Sequence, residues 1–262
     1  MPSPFRFVAP GIHGSWTRGD RRRAGCVALF AHAGLACAGC NHELYSPPAR
    51  MLPLESPATL ARGETGVQAE GATQGAIFGP SVETGTLRVR EGMADATDAT
   101  AEVSVLHVDG RSVADTYPYA FAGRVGLKHA ALPWLSLVGG LGGGASAGGG
   151  FVSPDVGVIA GYENRWAVPF VSLRVSVSVP FDGRPVDTGQ AGHDALGQYV
   201  YTPPFTWIGG GTVGLRVPVG RCDPGTSCVH GSLLGGLGLT ELAYAGASAG
   251  LMSLAGGGEI VF

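Results

Sequence analysis

A chain of 262 residues has room for one large domain or two small ones, and its 45 glycines, 14% charged residues and positive mean hydropathy are an unusual combination. Glycine at this level without a collagen period belongs to flexible polar chains, yet 45% of these residues are apolar, so an ordered apolar surface is built around the glycine. Arg6, Arg18, Arg21, Arg22 and Arg23, against the single acid Asp20, precede position 40; the remainder is net negative, which argues against the basic face a nucleic-acid partner needs.

Arg21, Arg22 and Arg23 lead into an apolar run over residues 24–39, broken only by His32 and closing on Leu-Ala-Cys-Ala-Gly-Cys. A basic segment, a short apolar segment and small residues are the parts of a secretory signal, and the run is short for a bilayer span. Ala38-Gly39-Cys40 resembles the end of a bacterial lipobox, which implies removal of residues 1–39 and a lipid on Cys40. Cys37 stands where that pattern has leucine, and many residues precede the basic segment, leaving open a cut before Cys37, cleavage without lipid, or a different start. A buried amphiphilic helix is the purely structural alternative. Several acyl chains on one Cys, or an added integral domain, would hold the protein firmly at a membrane.

Residues 41–74 keep neither a period of two nor one of 3.6 and are punctuated by Pro47, Pro48, Pro53 and Pro57. They read as an extended tether or a loosely packed plug. Alternation begins beyond Gly75. Leu87 and Val89 oppose Thr86, Arg88 and Arg90, and residues 101–109 and 121–132 follow, with Arg124 and Lys128 opposite Val125 and Leu127. Gly-rich segments at 134–147, 151–163 and 230–244 are also candidate strands, as are 205–219 and 250–262.

The clearest strand covers residues 170–180. Val171, Leu173, Val175, Val177 and Val179 occupy every second position, with Ser172, Arg174, Ser176 and Ser178 between them, giving one apolar and one polar face. A soluble sheet buries the apolar face, whereas a membrane barrel turns it towards lipid. Three features favour lipid. The polar faces carry Gly, Ser, Thr and isolated Arg instead of Lys and Glu, which suits a crowded lumen. Tyr117, Tyr119, Trp134, Tyr162, Trp166, Tyr199, Tyr201 and Trp207 cluster near strand ends, where interfacial girdles belong. The final alternating strand ends on Phe262 with Ile260 in register, which resembles the assembly signal of bacterial outer-membrane β-barrels; Gly258 is a weak match.

The predicted fold is therefore all-β: a closed antiparallel transmembrane β-barrel over residues 76–262, preceded by a signal at 1–39 and a tether or plug at 40–75. Eight or nine candidate strands make eight the preferred count and ten the next. A secreted soluble β-sandwich is the rival fold. A helical span over residues 130–154 is uncharged and long enough, but its glycines each cost about 1 kcal/mol in a helix.

Cys222 and Cys228 flank Asp-Pro-Gly-Thr-Ser, a turn sequence that would bring the thiols together, so a local disulfide is the first expectation in an oxidising compartment. A metal site on Cys222, Cys228 and His230 lacks a fourth ligand, and neither metal nor cofactor is expected. Gly-Ala-Ser-Ala-Gly occurs twice, around Ser146 and Ser248, but neither copy reads as a strand-to-helix elbow. A barrel-mouth hydrolase built with His107, His129, His193 or His230 is thus a minor reading, and no catalytic residue is assigned. Arg124, Arg174 and Arg216 fall on polar strand faces and would need lumenal partners, for which Glu163 and Glu241 are the candidates. A salt-bridged interior is the first reading of these charges, and a narrow anion-preferring pore the second. The expected function is structural or binding at the bacterial outer membrane, with the lipid bilayer as partner and an unidentified envelope or extracellular ligand met by loops such as 182–198.

Overall fold

The computed structural model describes residues 47–51, 53–75, 81–109, 119–184, 186–191, 198–201, 204–220, 229–244 and 247–262. The signal segment, Cys37, Cys40, Tyr117, His193, Cys222 and Cys228 lie outside them, and with them the lipidation and disulfide expectations.

Among the described residues there are twelve strands: β1 (Thr65–Gly75), β2 (Ser81–Ala94), β3 (Thr97–Asp109), β4 (Tyr119–Leu132), β5 (Leu135–Ser146), β6 (Gly149–Gly161), β7 (Val168–Phe181), β8 (Val186–Ala191), β9 (Gln198–Tyr201), β10 (Thr206–Val219), β11 (His230–Tyr244) and β12 (Ala247–Val261). Ten of them close into a barrel in the order β1-β12-β11-β10-β7-β6-β5-β4-β3-β2, and β8 and β9 pair as a separate hairpin in the connection between β7 and β10. Every neighbouring pair in the barrel is antiparallel. Closure is made by β1 against β12, with Thr65 and Phe262 exchanging two backbone hydrogen bonds of 2.9 Å. The barrel therefore has a terminal mouth, where the strand series begins and ends, and a hairpin mouth, from which the β8–β9 connection leaves.

The strand over residues 170–180 lies in β7, and its alternation decides the orientation of the wall. Leu173 and Val175 are 56% and 51% exposed, while Ser172, Arg174, Ser176 and Ser178 are buried. Val177 is half-buried because Trp207 stands opposite it in the β7–β10 register. The apolar face points out of a single closed wall and the polar face into it. This replaces the soluble sandwich, which would need a second layer over the valines. Exposed aromatics mark both rims: Trp134, Tyr162, Trp166 and Phe262 at the terminal mouth, and Tyr119, Phe121, Phe181, Phe205 and Trp207 at the hairpin mouth. Tyr199 and Tyr201 fall on β9.

The structure departs from the sequence reading in two places. The barrel has ten strands and not the preferred eight, because β1 lies within the segment read as tether. Its outer positions, Val67, Ala69, Gly71 and Thr73, are too small to register as an apolar stripe against Gln68, Glu70, Ala72 and Gln74 on the inner side. The wall thus starts at Thr65 and not at 76. Residues 130–154 belong to the end of β4, to β5 and to β6, in keeping with the strand reading of 134–147 and 151–163 and not with the rival helical span. No helix among the described residues is long and apolar enough to cross a membrane.

Ahead of β1, residues 47–60 run through the barrel without regular secondary structure. Ala49, Arg50, Met51, Leu54, Glu55, Ser56 and Leu60 are all buried. Ser178, near the hairpin-mouth end of β7, donates to the Pro47 carbonyl at 2.6 Å, and Leu60 N–H donates to Asp98 at the start of β3 at 2.9 Å. The segment therefore enters the lumen at the hairpin mouth, leaves it at the terminal mouth, and turns over residues 61–64 into β1. Eight strands enclose an interior that side chains just fill. The two additional strands here enclose more, and this segment occupies it.

Candidate functional site

Among the described residues, the lumen is the region where charged side chains converge, and the plug's backbone explains why the wall is so rich in donors. Prolines 47, 48, 53 and 57 contribute carbonyls but no N–H groups. A buried carbonyl needs a donor, and the wall supplies hydroxyl, amide and cationic ones. Gln68 donates to the Leu54 carbonyl at 2.9 Å, Lys128 to those of Ser56, at 3.1 Å, and Ala58, and Ser136 to that of Pro57. Ser136 and, nearer the hairpin mouth, Ser178 are the inner-face serines that donate to this backbone.

Below the hairpin mouth the interior is apolar. Ala49 and Met51 of the plug pack with Val82, Leu106, Phe151, Ile208, Leu242 and Leu251 of the wall. Deeper in, the charges form two linked groups. In the first, Glu102 is approached by Arg124 at 2.9 Å, Arg50 at 3.0 Å and Arg88 at 3.4 Å; Arg124 also grips Asp155 with two bonds of 2.6 and 2.9 Å. Arg174 joins Asp155 at 3.1 Å to Glu55 of the plug at 3.4 Å, and Arg88 holds Glu70 at 3.0 Å. In the second, nearer the terminal mouth, Arg90 bridges Asp98, at 3.1 Å, and Glu259, while Lys128 lies 3.9 Å from Asp98 and 4.0 Å from Glu55. Arg88 and Lys128 are 0% and 1% exposed, so these ions are stable only as a mutually paired set. Plug residues Arg50 and Glu55 are members of it.

β5 shows how the sequence makes room for this. Gly140, Gly142 and Gly144 alternate on its inner face, and Arg124 lies across that bare strip to reach Asp155 on β6. A Cβ on Gly140 would stand 2.5 Å from the Arg124 guanidinium carbon, and one on Gly142 would stand 2.8 Å from the Gly123 carbonyl and strike the Ala49 methyl of the plug. The glycine tract that resembles low complexity in the sequence is the clearance for an arginine and for a threading chain.

Of the charges singled out from sequence, Arg124 and Arg174 lie in this network and Arg216 lies at its edge, 3.9 Å from Glu259. Their expected partners are elsewhere. Glu163 is exposed in the β6–β7 connection, and Glu241 is exposed on the outer face of β11 in register with Leu237 and Leu239. Of the actual partners, Glu102, Asp155 and Glu259 sit on inner faces whose parity is readable, whereas Glu55 is in the plug, where no period marks it. Ser146 lies on the inner face of β5, whereas His107 is on the outer face of β3 beside Glu83 and Tyr119, so the wall separates them. Ser248 is at the hairpin-mouth start of β12, and His129 and His230 are at the far mouth. Among the described residues no cluster of His, Cys, Asp and Glu forms a metal site.

A cavity of about 10 Å³ lies between Arg50 and Met51 of the plug and Glu70, Thr84, Thr86 and Ala255 of the wall. That is space for about one water, not for a solute.

A closed wall, an apolar exterior between two aromatic rims and a polar, filled interior define the class as membrane-spanning β-barrel. No protein-family model and no curated protein matches this sequence. Among solved structures, the chain is similar to Neisserial surface protein A at 10% identity and a TM-score of 0.35, over 75% of this chain and 95% of that one. It is similar to the N-terminal β-barrel domain of Pseudomonas aeruginosa OprF at 11% and 0.33, over 78% and 100% of the two chains. It is also similar to the translocator domain of the autotransporter NalP from Neisseria meningitidis at 12% and 0.35, over 92% and 97%.

Proposed function

We propose that this protein is a bacterial outer-membrane β-barrel, anchored in addition by a lipid on Cys40, whose role is structural or binding and whose ligand contacts are made at the hairpin mouth. The observation that carries the reading is the pairing of a valine- and leucine-covered exterior with an interior closed by the chain's own residues 47–60. The exterior suits hydrocarbon. The filled interior favours a closed barrel over an open pore, since Arg50 and Glu55 are held among wall charges and the apolar cluster around Met51 occupies the lumen below the hairpin mouth. With the longest connection facing outward, as in barrels of the outer membrane, the β8–β9 hairpin and its flanks are the surface offered to an external partner.

The test combines fractionation with conductance. The membrane fraction is expected to hold a band that migrates faster before boiling than after it, and the purified barrel to be electrically silent in a planar bilayer. A variant lacking residues 47–57 is expected to conduct, because the wall charges then line a vacant channel. A protein recovered without detergent and with no heat shift would sink the membrane assignment, and stepwise currents from the intact chain would restore the pore.

A further inference from the structure

The direction of the plug has a consequence for the rest of the chain. Residues 47–60 descend from the hairpin mouth to the terminal mouth, and β1 then climbs back from Thr65. Ten strands is an even number, so Thr65 and Phe262 share the terminal mouth. We infer that the chain reaches Pro47 from the hairpin mouth, on the side of the membrane opposite Phe262, so that a lipid carried on Cys40 is confined to the leaflet of that mouth. The inference rests on the membrane-barrel reading above and deepens it.

Three observations secure the placement. The plug cannot slide, because its register is pinned at both ends and in the middle: Pro47 to Ser178, Leu54 to Gln68, Glu55 to Arg174, and Leu60 to Asp98. The lumen cannot take a second strand that would carry the N-terminal segment back down. Where Ala49 passes β5, a single added carbon on Gly142 already collides with it. Nor can Cys40 lie at the opposite leaflet by a route outside the wall. The seven steps from Cys40 to Pro47 reach at most about 25 Å even when fully extended. The hydrocarbon core to be crossed is about 30 Å thick.

In the outer-membrane orientation the terminal mouth faces the periplasm. The barrel is then a sleeve through which the chain at Pro47 opens on the cell surface, and a lipid on Cys40 is a surface-side anchor.

Three epitope insertions test this: after Ser46, after Arg184 in the β7–β10 connection, and after Asp95 in the β2–β3 turn. Each is read by antibody binding to intact and to permeabilised cells, using variants that keep the heat-shifted band. The Ser46 and Arg184 epitopes are expected to be labelled on intact cells to within about twofold of each other, and the Asp95 epitope only after permeabilisation. Should the Ser46 insertion abolish the band, an insertion after Asn41 takes its place with the same expectation. Labelling of the N-terminal epitope together with Asp95, and apart from Arg184, would overturn the inference. Equal labelling of all three on intact cells would instead overturn the membrane-barrel reading on which it stands.

Discussion

Arg124 leaves β4, crosses the bare inner face of β5 and closes on Asp155 of β6 while also holding Glu102 of β3, so one side chain ties three strands across a fourth. Removing one member of a buried ion set leaves its partners desolvated and unpaired. Arg124→Met is expected to cost about 3 kcal/mol in a urea titration of the heat-shifted band, and adding Asp155→Leu to recover part of that loss. Glu163→Gln and Glu241→Gln, both exposed, are expected to stay within about 0.5 kcal/mol. On the outer face depth decides. Val175 is at the middle of β7, so Val175→Arg places a charge at the bilayer midplane and is expected to cost about 2–4 kcal/mol, whereas Val179→Arg near the rim costs about 1 kcal/mol or less. Equal costs at the two positions would contradict a lipid-facing wall. The parity of these side chains was legible in the sequence, since alternation in a strand is local. Their partners were not, because nothing local to Arg124 marks Asp155, which lies 31 residues away, or Glu102 on the far side of β4.

At the scale of the element, β5 and β1 were the least readable strands for opposite reasons. β5 gives up inner side chains so that others can use the space, and a strand read by its own residues shows only glycine. Gly142→Val is expected to cost about 3 kcal/mol or to displace the plug and produce conductance, because the added carbons meet Ala49 and the Gly123 carbonyl. The neighbouring outer-face change Gly139→Val meets only the Asp155 carbonyl, at 3.7 Å, and is expected to be neutral or mildly stabilising. β1 has an outer face of small residues and an inner face of Gln68, Glu70, Ala72 and Gln74, so its hydropathy has no period of two. It is a strand because β2 and β12 both offer unpaired edges to it. The plug could not be told from a tether in the sequence for a related reason. A segment that is buried on every side and accepts hydrogen bonds through its carbonyls has no face to advertise, and its prolines read as loop.

At the scale of the molecule, closure is the step on which heat resistance depends. Gly257 on β12 faces Glu70 of β1, and a Cβ there would stand 2.6 Å from the Ala69 carbonyl and 3.0 Å from the Glu70 Cβ. Gly257→Leu is therefore expected to prevent the β1–β12 seam and abolish the heat-shifted band. Gly256→Leu, directed outward with the Leu234 carbonyl at 3.9 Å, is expected to keep it. What the sequence by itself determined is the all-β class, the outward valines and the inward arginines, because a period of two is written within each strand. The tertiary structure alone decided the count of ten, the seam through β1, the partners of each charge and the course of residues 47–60 through the lumen. All of these depend on residues far apart in the chain occupying one enclosed volume, where what one strand leaves empty another must fill.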